Sequence, residues 1–389
     1  MTKPKPRSFP RFENWAEKSL LDLDTARREG VKIAGAFCTY APLELVRAAG
    51  AVPVSLCGKK QDPIPAAEKH LPANLCPLIK SSYGYAITDA CPFFAASDFI
   101  LGETTCDGKK KMFELLQDIK PLHLLHLPYL QEDATALAFW MDQIQRMQTF
   151  LEQTTGQRVT RDRLQKEISV ANRVRRLLAG IAFMASNHPI PLSGLDAMRV
   201  FESSSFVVDL PEYAELLETL ALELTEMKAL GVSVRTADAP RILLTGCPVG
   251  KGSDKVLKLI EDSGAVVVCL ENCTGFKNFD LLVEETGDPF EALARRYQRI
   301  PCSCMTPNQG RFELISRLTR NYKVQGIVDQ TWQCCHTYNV EAHGIKTLAE
   351  QTLNVPFLHI ETDYSESDTE QLRTRIEAFL EVVAMGRPR

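Results

Sequence analysis

Val31-Lys32-Ile33-Ala34-Gly35-Ala36-Phe37-Cys38 runs through the turn Tyr40-Ala41-Pro42 into Leu43-Glu44-Leu45-Val46-Arg47-Ala48-Ala49-Gly50, and then into Val52-Pro53-Val54-Ser55-Leu56. The short apolar run Val31 to Cys38 reads as a buried strand. Leu43 to Ala49 reads as a helix, with Gly50 placed to end it. Val52 to Leu56 is the next strand. Working outward, Asp98 to Gly102 is a strand, Thr104 to Gly108 a loop, Lys109 to Ile119 a helix and Pro121 to Leu127 a strand. Strands that alternate with helices in this way predict a parallel sheet covered on both faces.

The same alternation returns after residue 240. Arg241 to Thr245, Ala265 to Leu270, Gly326 to Asp329 and Pro356 to Glu361 read as strands. Asp254 to Asp262 and Asp368 to Met385 read as helices. Between the two stretches the apolar residues recur at helical spacing, as in Leu164, Ile168, Val174, Leu178 and in Tyr213, Leu216, Leu217, Leu220. Pro211 suits a helix start and Gly231 a helix end. This stretch is expected to pack on or between the sheets without forming a site itself. The fold expected is therefore α/β, with two doubly wound, Rossmann-like parallel-sheet domains facing each other across a cleft and a helical insertion between them. The divisions are 1–130, 131–238 and 239–389.

Composition narrows the class of protein. The 389 residues are 45% hydrophobic and 24% charged, which fits a globular chain and excludes disordered or collagen-like classes. A formal net charge of -4 argues against a nucleic-acid binder. No apolar run reaches the roughly 18 residues of a membrane span. Met1 to Phe12 is basic but is followed by no apolar signal core, so the expected location is cytoplasmic. In such a reducing compartment, twelve cysteines point to metal or redox chemistry more than to disulfides.

No cysteine pair has Cys-x-x-Cys spacing; the close ones are Cys302/Cys304, Cys334/Cys335 and Cys269/Cys273. That disfavours zinc ribbons, thioredoxin-like motifs and a local ferredoxin run. Any site must be assembled from distant loops. Cys38, Cys76, Cys91, Cys106, Cys247, Cys273, Cys302, Cys304 and Cys335 fall on loops or strand ends, where ligands bind in doubly wound sheets. Cys57 and Cys269 read as core. Cys106 precedes a helix start and three lysines, Lys109 to Lys111, and both features favour a thiolate. Cys273, followed by Gly275 and Lys277, echoes it. Gly102-Glu103-Thr104-Thr105-Cys106-Asp107-Gly108-Lys109 and Leu270-Glu271-Asn272-Cys273-Thr274-Gly275-Phe276-Lys277 suggest a weak internal repeat. Gly246-Cys247-Pro248-Val249-Gly250-Lys251-Gly252-Ser253 lacks P-loop spacing and its hydroxyl residue, so the chain is not expected to hydrolyse ATP itself.

Gly35-Ala36-Phe37-Cys38-Thr39-Tyr40-Ala41-Pro42-Leu43-Glu44-Leu45, Leu75-Cys76-Pro77, Thr104-Thr105-Cys106-Asp107-Gly108-Lys109-Lys110, Glu271-Asn272-Cys273-Thr274-Gly275 and Cys335-His336-Thr337-Tyr338 carry a resemblance. Together they resemble the 2-hydroxyacyl-CoA dehydratase and benzoyl-CoA reductase superfamily, over nearly the whole chain. The likeness is strongest to its single-chain branch with a double-cubane iron-sulfur cluster. The resemblance implies one cubane on Cys76, Cys106 and Cys335. It implies further ligands for a second cubane, for which Cys38 is the first candidate, then Cys273 and either Cys302 or Cys304. Cys247 is held in reserve, and Cys334 is disfavoured because it adjoins Cys335. The cofactor implied is an 8Fe-9S double cubane or a 4Fe-4S cluster.

The partner implied is a separate ATP-hydrolysing iron-sulfur activator that delivers low-potential electrons, and the assembly a homodimer. The substrate is a small molecule that is hard to reduce. Alternatively it is a 2-hydroxyacyl-CoA, from which a ketyl radical at the thioester allows water to leave, and the chain then works beside a paralogous subunit. A third reading is a non-catalytic electron-transfer module. His336 as a proton donor and Glu44 beside the cluster are the candidate catalytic residues. Glu361 and Asp363 at a strand end, as site carboxylates, are weighed against a solvated turn, and Lys109 to Lys111, as a face for an activator protein or an anionic substrate, against a solvated helix face.

Overall fold

In a computed structural model, which describes residues 5–386, the chain forms two four-stranded sheets, each wholly parallel. Residues 1–4 of the basic N-terminal stretch lie outside the described residues. The first sheet holds β1 (Lys32–Ala36), β2 (Ala51–Ser55), β3 (Phe99–Glu103) and β4 (Leu122–Leu125) in the order β2-β1-β3-β4. The second holds β5 (Arg241–Gly246), β6 (Val266–Glu271), β7 (Gly326–Trp332) and β8 (Phe357–Thr362) in the order β6-β5-β7-β8. The two orders are the same, and each strand expected from the sequence is present. Helices cover both faces of the sheets, and β3, β6 and β7 are buried at every residue.

The strand expected to reach Cys38 stops at Ala36. Cys38 has φ 62, a left-handed conformation that ends the extended run. Gly50, at φ 75, closes the helix Leu43–Ala48 as expected. The internal repeat does not match the topology. Glu103 ends β3, an inner strand, whereas Glu271 ends β6, an edge strand equivalent to β2.

The middle of the chain forms the helices Ala134–Thr155, Arg161–Phe183, Gly194–Ser203 and Leu210–Ala229. Their starts are set by Asp133, Thr160, Ser193 and Asp209, whose side chains each accept a backbone N–H of the first turn. Trp140 and Ile144 pack on the first sheet against Ala34 and Leu101. Leu217 and Leu220 join the core that holds Ile242 and Val267 of the second sheet, on a helix that packs against Arg161–Phe183. Core membership crosses the chain order. Phe9 and Phe12 join the second core, and Leu293 and Tyr297 join the first.

A third core spans both sheets. In it Ile33, Phe37 and Phe113 meet Cys247, Trp332 and Tyr364. Polar contacts fasten the same seam: Tyr364 donates its hydroxyl to the Gly58 carbonyl (3.1 Å) and Tyr40 to the Ile300 carbonyl (2.9 Å). The carboxyl ends of the strands of both sheets therefore open onto one shared space. Among the described residues no helix is long and apolar enough to cross a membrane.

Candidate functional site

A cavity of about 560 Å³ lies at this junction. Ten of the twelve cysteines line it; only Cys91 and Cys269 do not. The sheet topology explains the gathering. Cys38, Cys57 and Cys106 follow β1, β2 and β3, and Cys247, Cys273 and Cys335 follow β5, β6 and β7. Cys76 comes from the loop before the helix Pro77–Ile87, and Cys302 and Cys304 from the loop after the helix Pro289–Gln298.

Three of these cysteines share a local geometry. Cys76, Cys106 and Cys335 are the N-cap residues of the helices Pro77–Ile87, Asp107–Leu116 and His336–Thr347. Backbone N–H groups of each helix start favour the thiolate of its cysteine: those of Leu78 and Ile79 at Cys76, of Lys109 at Cys106 and of Tyr338 at Cys335. Free N–H groups and the positive end of the helix dipole both favour a thiolate there. Burial nevertheless dominates at Cys106 and raises its pKa, against the expectation that the helix start and lysines would lower it. At Cys335, hydrogen bonds from Cys247 and then Cys76 lower it well below the ordinary thiol value.

The other sulfurs form two pairs. Cys38 and Cys57 hydrogen-bond each other, and Lys109 donates its ammonium to Cys38 Sγ, so the pair readily holds one thiolate. Cys302 and Cys304 hydrogen-bond each other, and this contact lowers Cys302 to about 6. Cys304 also donates to Tyr40 Oη at 3.7 Å. Cys273 stands between the pairs, and burial pushes it up to about 12. It does not share the Cys106 geometry. The helix beyond it is one turn long, Phe276–Phe279, and its N-cap is Gly275.

Charged groups hold the rim loops in place. Glu103, fully buried, accepts the backbone N–H groups of Tyr40 (2.8 Å) and Ala41 (2.6 Å) and so fixes the turn after Cys38. Burial pushes its carboxyl up to about 8. In the second sheet Arg311 is wholly buried among Glu271, Asp329 and Glu341, while Lys277 lies 3.2 Å from Glu271 and donates to Tyr338 Oη at 2.8 Å.

The residues singled out from sequence distribute as follows. Cys38, Cys76, Cys106, Cys273, Cys302, Cys304 and Cys335 all line the cavity, as do Cys247 and Cys334. His336 is exposed on the cavity rim as the first residue of its helix. Glu44 lines the wall, where it accepts from Arg175 (2.5 Å) and from Tyr297 Oη (2.6 Å). Glu361 is exposed on β8, and Asp363 folds back on Ser365; neither lines the cavity. Lys109 does not lie on a solvated face: it is 4% exposed and points at Cys38.

The chain matches the family model of the 2-hydroxyglutaryl-CoA dehydratase D-component over residues 38–383. It belongs to this family. It is 42% identical to YjiM of Escherichia coli (strain K12), a protein only provisionally named a dehydratase subunit, over 97% of this chain and 98% of that one. It is 24% identical to the (R)-phenyllactyl-CoA dehydratase beta subunit of Clostridium sporogenes, over 91% and 92% of the two chains. It is 22% identical to the (R)-2-hydroxyglutaryl-CoA dehydratase beta subunit of Acidaminococcus fermentans, over 91% and 93%.

Two contributions to the site of this dehydratase-family chain were missed in the sequence. Cys57, read as core, lines the cavity beside Cys38, because β2 ends at Ser55 and leaves it on the rim. The strand order held the signal: Cys57 follows β2 as Cys273 follows the equivalent β6. The helical segment also walls the cavity, through Ala171, Val174, Arg175 and Leu178. Cys269, on β6, is core as read.

Among the described residues no three His, Cys, Asp or Glu side chains converge as for a single metal ion. The sulfurs are instead distributed around a shared space. A donor set of soft sulfur, several of them backed by backbone N–H groups and by Lys109, fits an iron-sulfur cluster far better than a hard cation.

Proposed function

We propose that the chain holds an iron-sulfur cluster in this cavity, of the 8Fe-9S double-cubane type, and is a reductase or dehydratase-like enzyme for a small substrate. Electrons would come at low potential from a separate ATP-hydrolysing activator, and the working form would be a cytoplasmic homodimer. The observation that carries the reading is the gathering of ten cysteines on one cavity, more than a single cubane uses. Cys76, Cys106 and Cys335 would hold one cubane. Cys38, Cys273 and Cys302 or Cys304 would hold the other, with Cys57 and Cys247 now candidates on the same footing.

When bound, the cluster supplies one-electron transfer at low potential. The chain's own residues do the rest. Helix N-termini and Lys109 stabilise thiolate charge. Glu103 and Arg311 fix the loops that carry the sulfurs. The apolar walls exclude water from the space beside them. His336, on the rim, is placed to exchange a proton with solvent.

A second reading, a subunit of a 2-hydroxyacyl-CoA dehydratase, is favoured by the names of the relatives from Clostridium sporogenes and Acidaminococcus fermentans. Iron and acid-labile sulfide per chain after oxygen-free purification separate the two. Roughly eight irons support the double cubane, and roughly four support the subunit reading. No iron after reconstitution overturns both.

A further inference from the structure

Beyond the sulfurs, the cavity continues into a lobe around the helix Arg161–Phe183. Leu43, Val174, Leu178 and Phe279 give it apolar walls, and Arg47 and Arg296 reach into it. Arg296 is 5% exposed. Its Nε and Nη2 donate to the carbonyls of Leu281 (3.2 Å) and Asn278 (2.6 Å), which leaves Nη1 free to meet a ligand. Arg47 donates both terminal nitrogens to the carbonyls of Val208 and Val207, leaving Nε. Among the described residues neither arginine forms an ion pair. The third guanidinium, Arg175, is satisfied by Glu44.

The charge balance of the lobe is therefore incomplete. Three guanidiniums face two carboxylates: Glu44, buried and paired with Arg175, and Glu167, half-buried near Arg47. The outer acids are engaged elsewhere: Asp280 pairs with Arg317 at 2.5 Å, and Asp209 caps the helix Leu210–Ala229. Burial pulls both Arg47 and Arg296 down to about 10, so both still carry charge at neutral pH. A buried charge without a partner is costly unless a ligand completes it.

We infer that this lobe binds a small carboxylate with a short apolar body, its carboxylate on Arg296 and Arg47 and its carbon end on Leu43, Val174, Leu178 and Phe279. The remaining donors suit the two oxygens of a carboxylate better than the larger set of a phosphate. The apolar walls have nothing to offer an inorganic ion. This names the substrate class of the cavity and rests on its reading as a substrate site.

The test is calorimetric titration of the full chain, purified without oxygen, with butyrate, butyramide and inorganic phosphate. Iron is measured on the same samples. Saturable butyrate binding is expected, with butyramide and phosphate weaker by about tenfold or more, the worth of one charge-assisted hydrogen bond. Arg296→Gln should weaken butyrate by a similar factor. Ala171→Asp, which puts a carboxylate on the lobe wall, should do the same if the first variant does not fold. Absence of saturable butyrate binding, or equal binding of butyramide or phosphate, overturns the inference. If that happens in iron-loaded protein, the lobe alone is wrong. If butyrate binds to protein that takes up no iron, the lobe stands and the cluster reading falls.

Discussion

Replacing Arg311 by methionine should destabilise the protein strongly, and less so in acid. Arg311 is fully buried at the start of the helix Gln309–Asn321. It lies 3.3 Å from Glu271 on β6 and 3.9 Å from Asp329 on β7, donates to Thr245 on β5 at 2.8 Å, and also pairs with Glu341. One guanidinium thus ties together the ends of three strands. Methionine keeps the apolar stem and removes the charge. It leaves Glu271 buried beside Lys277, and Asp329 buried with only His359 and the more distant Lys277 acting against its rise. Breaking a buried pair from one side costs about 3–5 kcal/mol. Burial already raises the Asp329 pKa, and Arg311 opposes that rise. Without Arg311 the folded value climbs further above the unfolded one. A group shifted that way favours the folded state at low pH and loses that stability as pH rises through the folded value. Each further unit is worth about 1.4 kcal/mol. Urea unfolding of the metal-free protein, followed by tryptophan fluorescence, gives the deficit; Trp332 on β7 is a buried reporter beside the network. The gap between wild type and variant should be several kcal/mol at pH 8 and at least about 1 kcal/mol smaller at pH 5.5. A gap below about 1 kcal/mol at pH 8, or one that does not change with pH, would refute the reasoning.

Other substitutions test other contacts. Glu44→Gln strands Arg175 and should cost about 3–5 kcal/mol in the same assay. Although burial opposes it, Arg175 holds the Glu44 carboxyl below its ordinary range. Its contribution is therefore present above the unfolded value of about 4.3 and fades only as pH falls below that, so the gap should be flat from pH 8 to 5.5. Cys38, at φ 62, makes glycine the better replacement: Cys38→Gly should be about 1 kcal/mol more stable than Cys38→Ala in metal-free protein, reversing the usual order of the two residues. Cys57→Ser should lower iron per chain after reconstitution, while Cys269→Ser, in the second core, should leave it unchanged; equal iron in both would return Cys57 to a packing role.

The strands were legible because parallel strands buried on both faces are short apolar runs with glycine or a turn at their ends. The cavity cysteines were legible wherever they followed such a run visibly, as Cys38, Cys106 and Cys247 do. Cys57 was not, because Val52 to Leu56 gave no mark of where pairing stops; β2 ends at Ser55, two residues short of the sulfur. Nothing in the sequence told Lys109 apart from Lys110 and Lys111 as the lysine that serves the thiolates. Only the helix phase turns it inward, while Lys110 pairs with Asp107 and Lys111 with Glu114 at the surface. The arginine lobe was invisible for a different reason. Arg47, Arg175 and Arg296 come from three helices far apart in the chain, and nothing local marks them as neighbours.

The absence of Cys-x-x-Cys spacing has a topological explanation. Neighbouring parallel strands lie about 4.8 Å apart, and all point the same way. A cysteine one to three residues past β1, β2, β3, β5, β6 or β7 therefore reaches a common rim, however many residues separate it from the next one in sequence. Two sheets with the same strand order, set with those rims facing, bring the two rows together. Neither row is complete alone: Cys76 and Cys106 of the first half meet Cys247 and Cys335 of the second across a core that includes Phe37, Trp332 and Tyr364. The site is thus a property of the docked pair of sheets. Groups that fasten the seam, such as Tyr364 on Gly58 and Tyr40 on Ile300, should therefore control how the sulfurs are presented without touching what they hold.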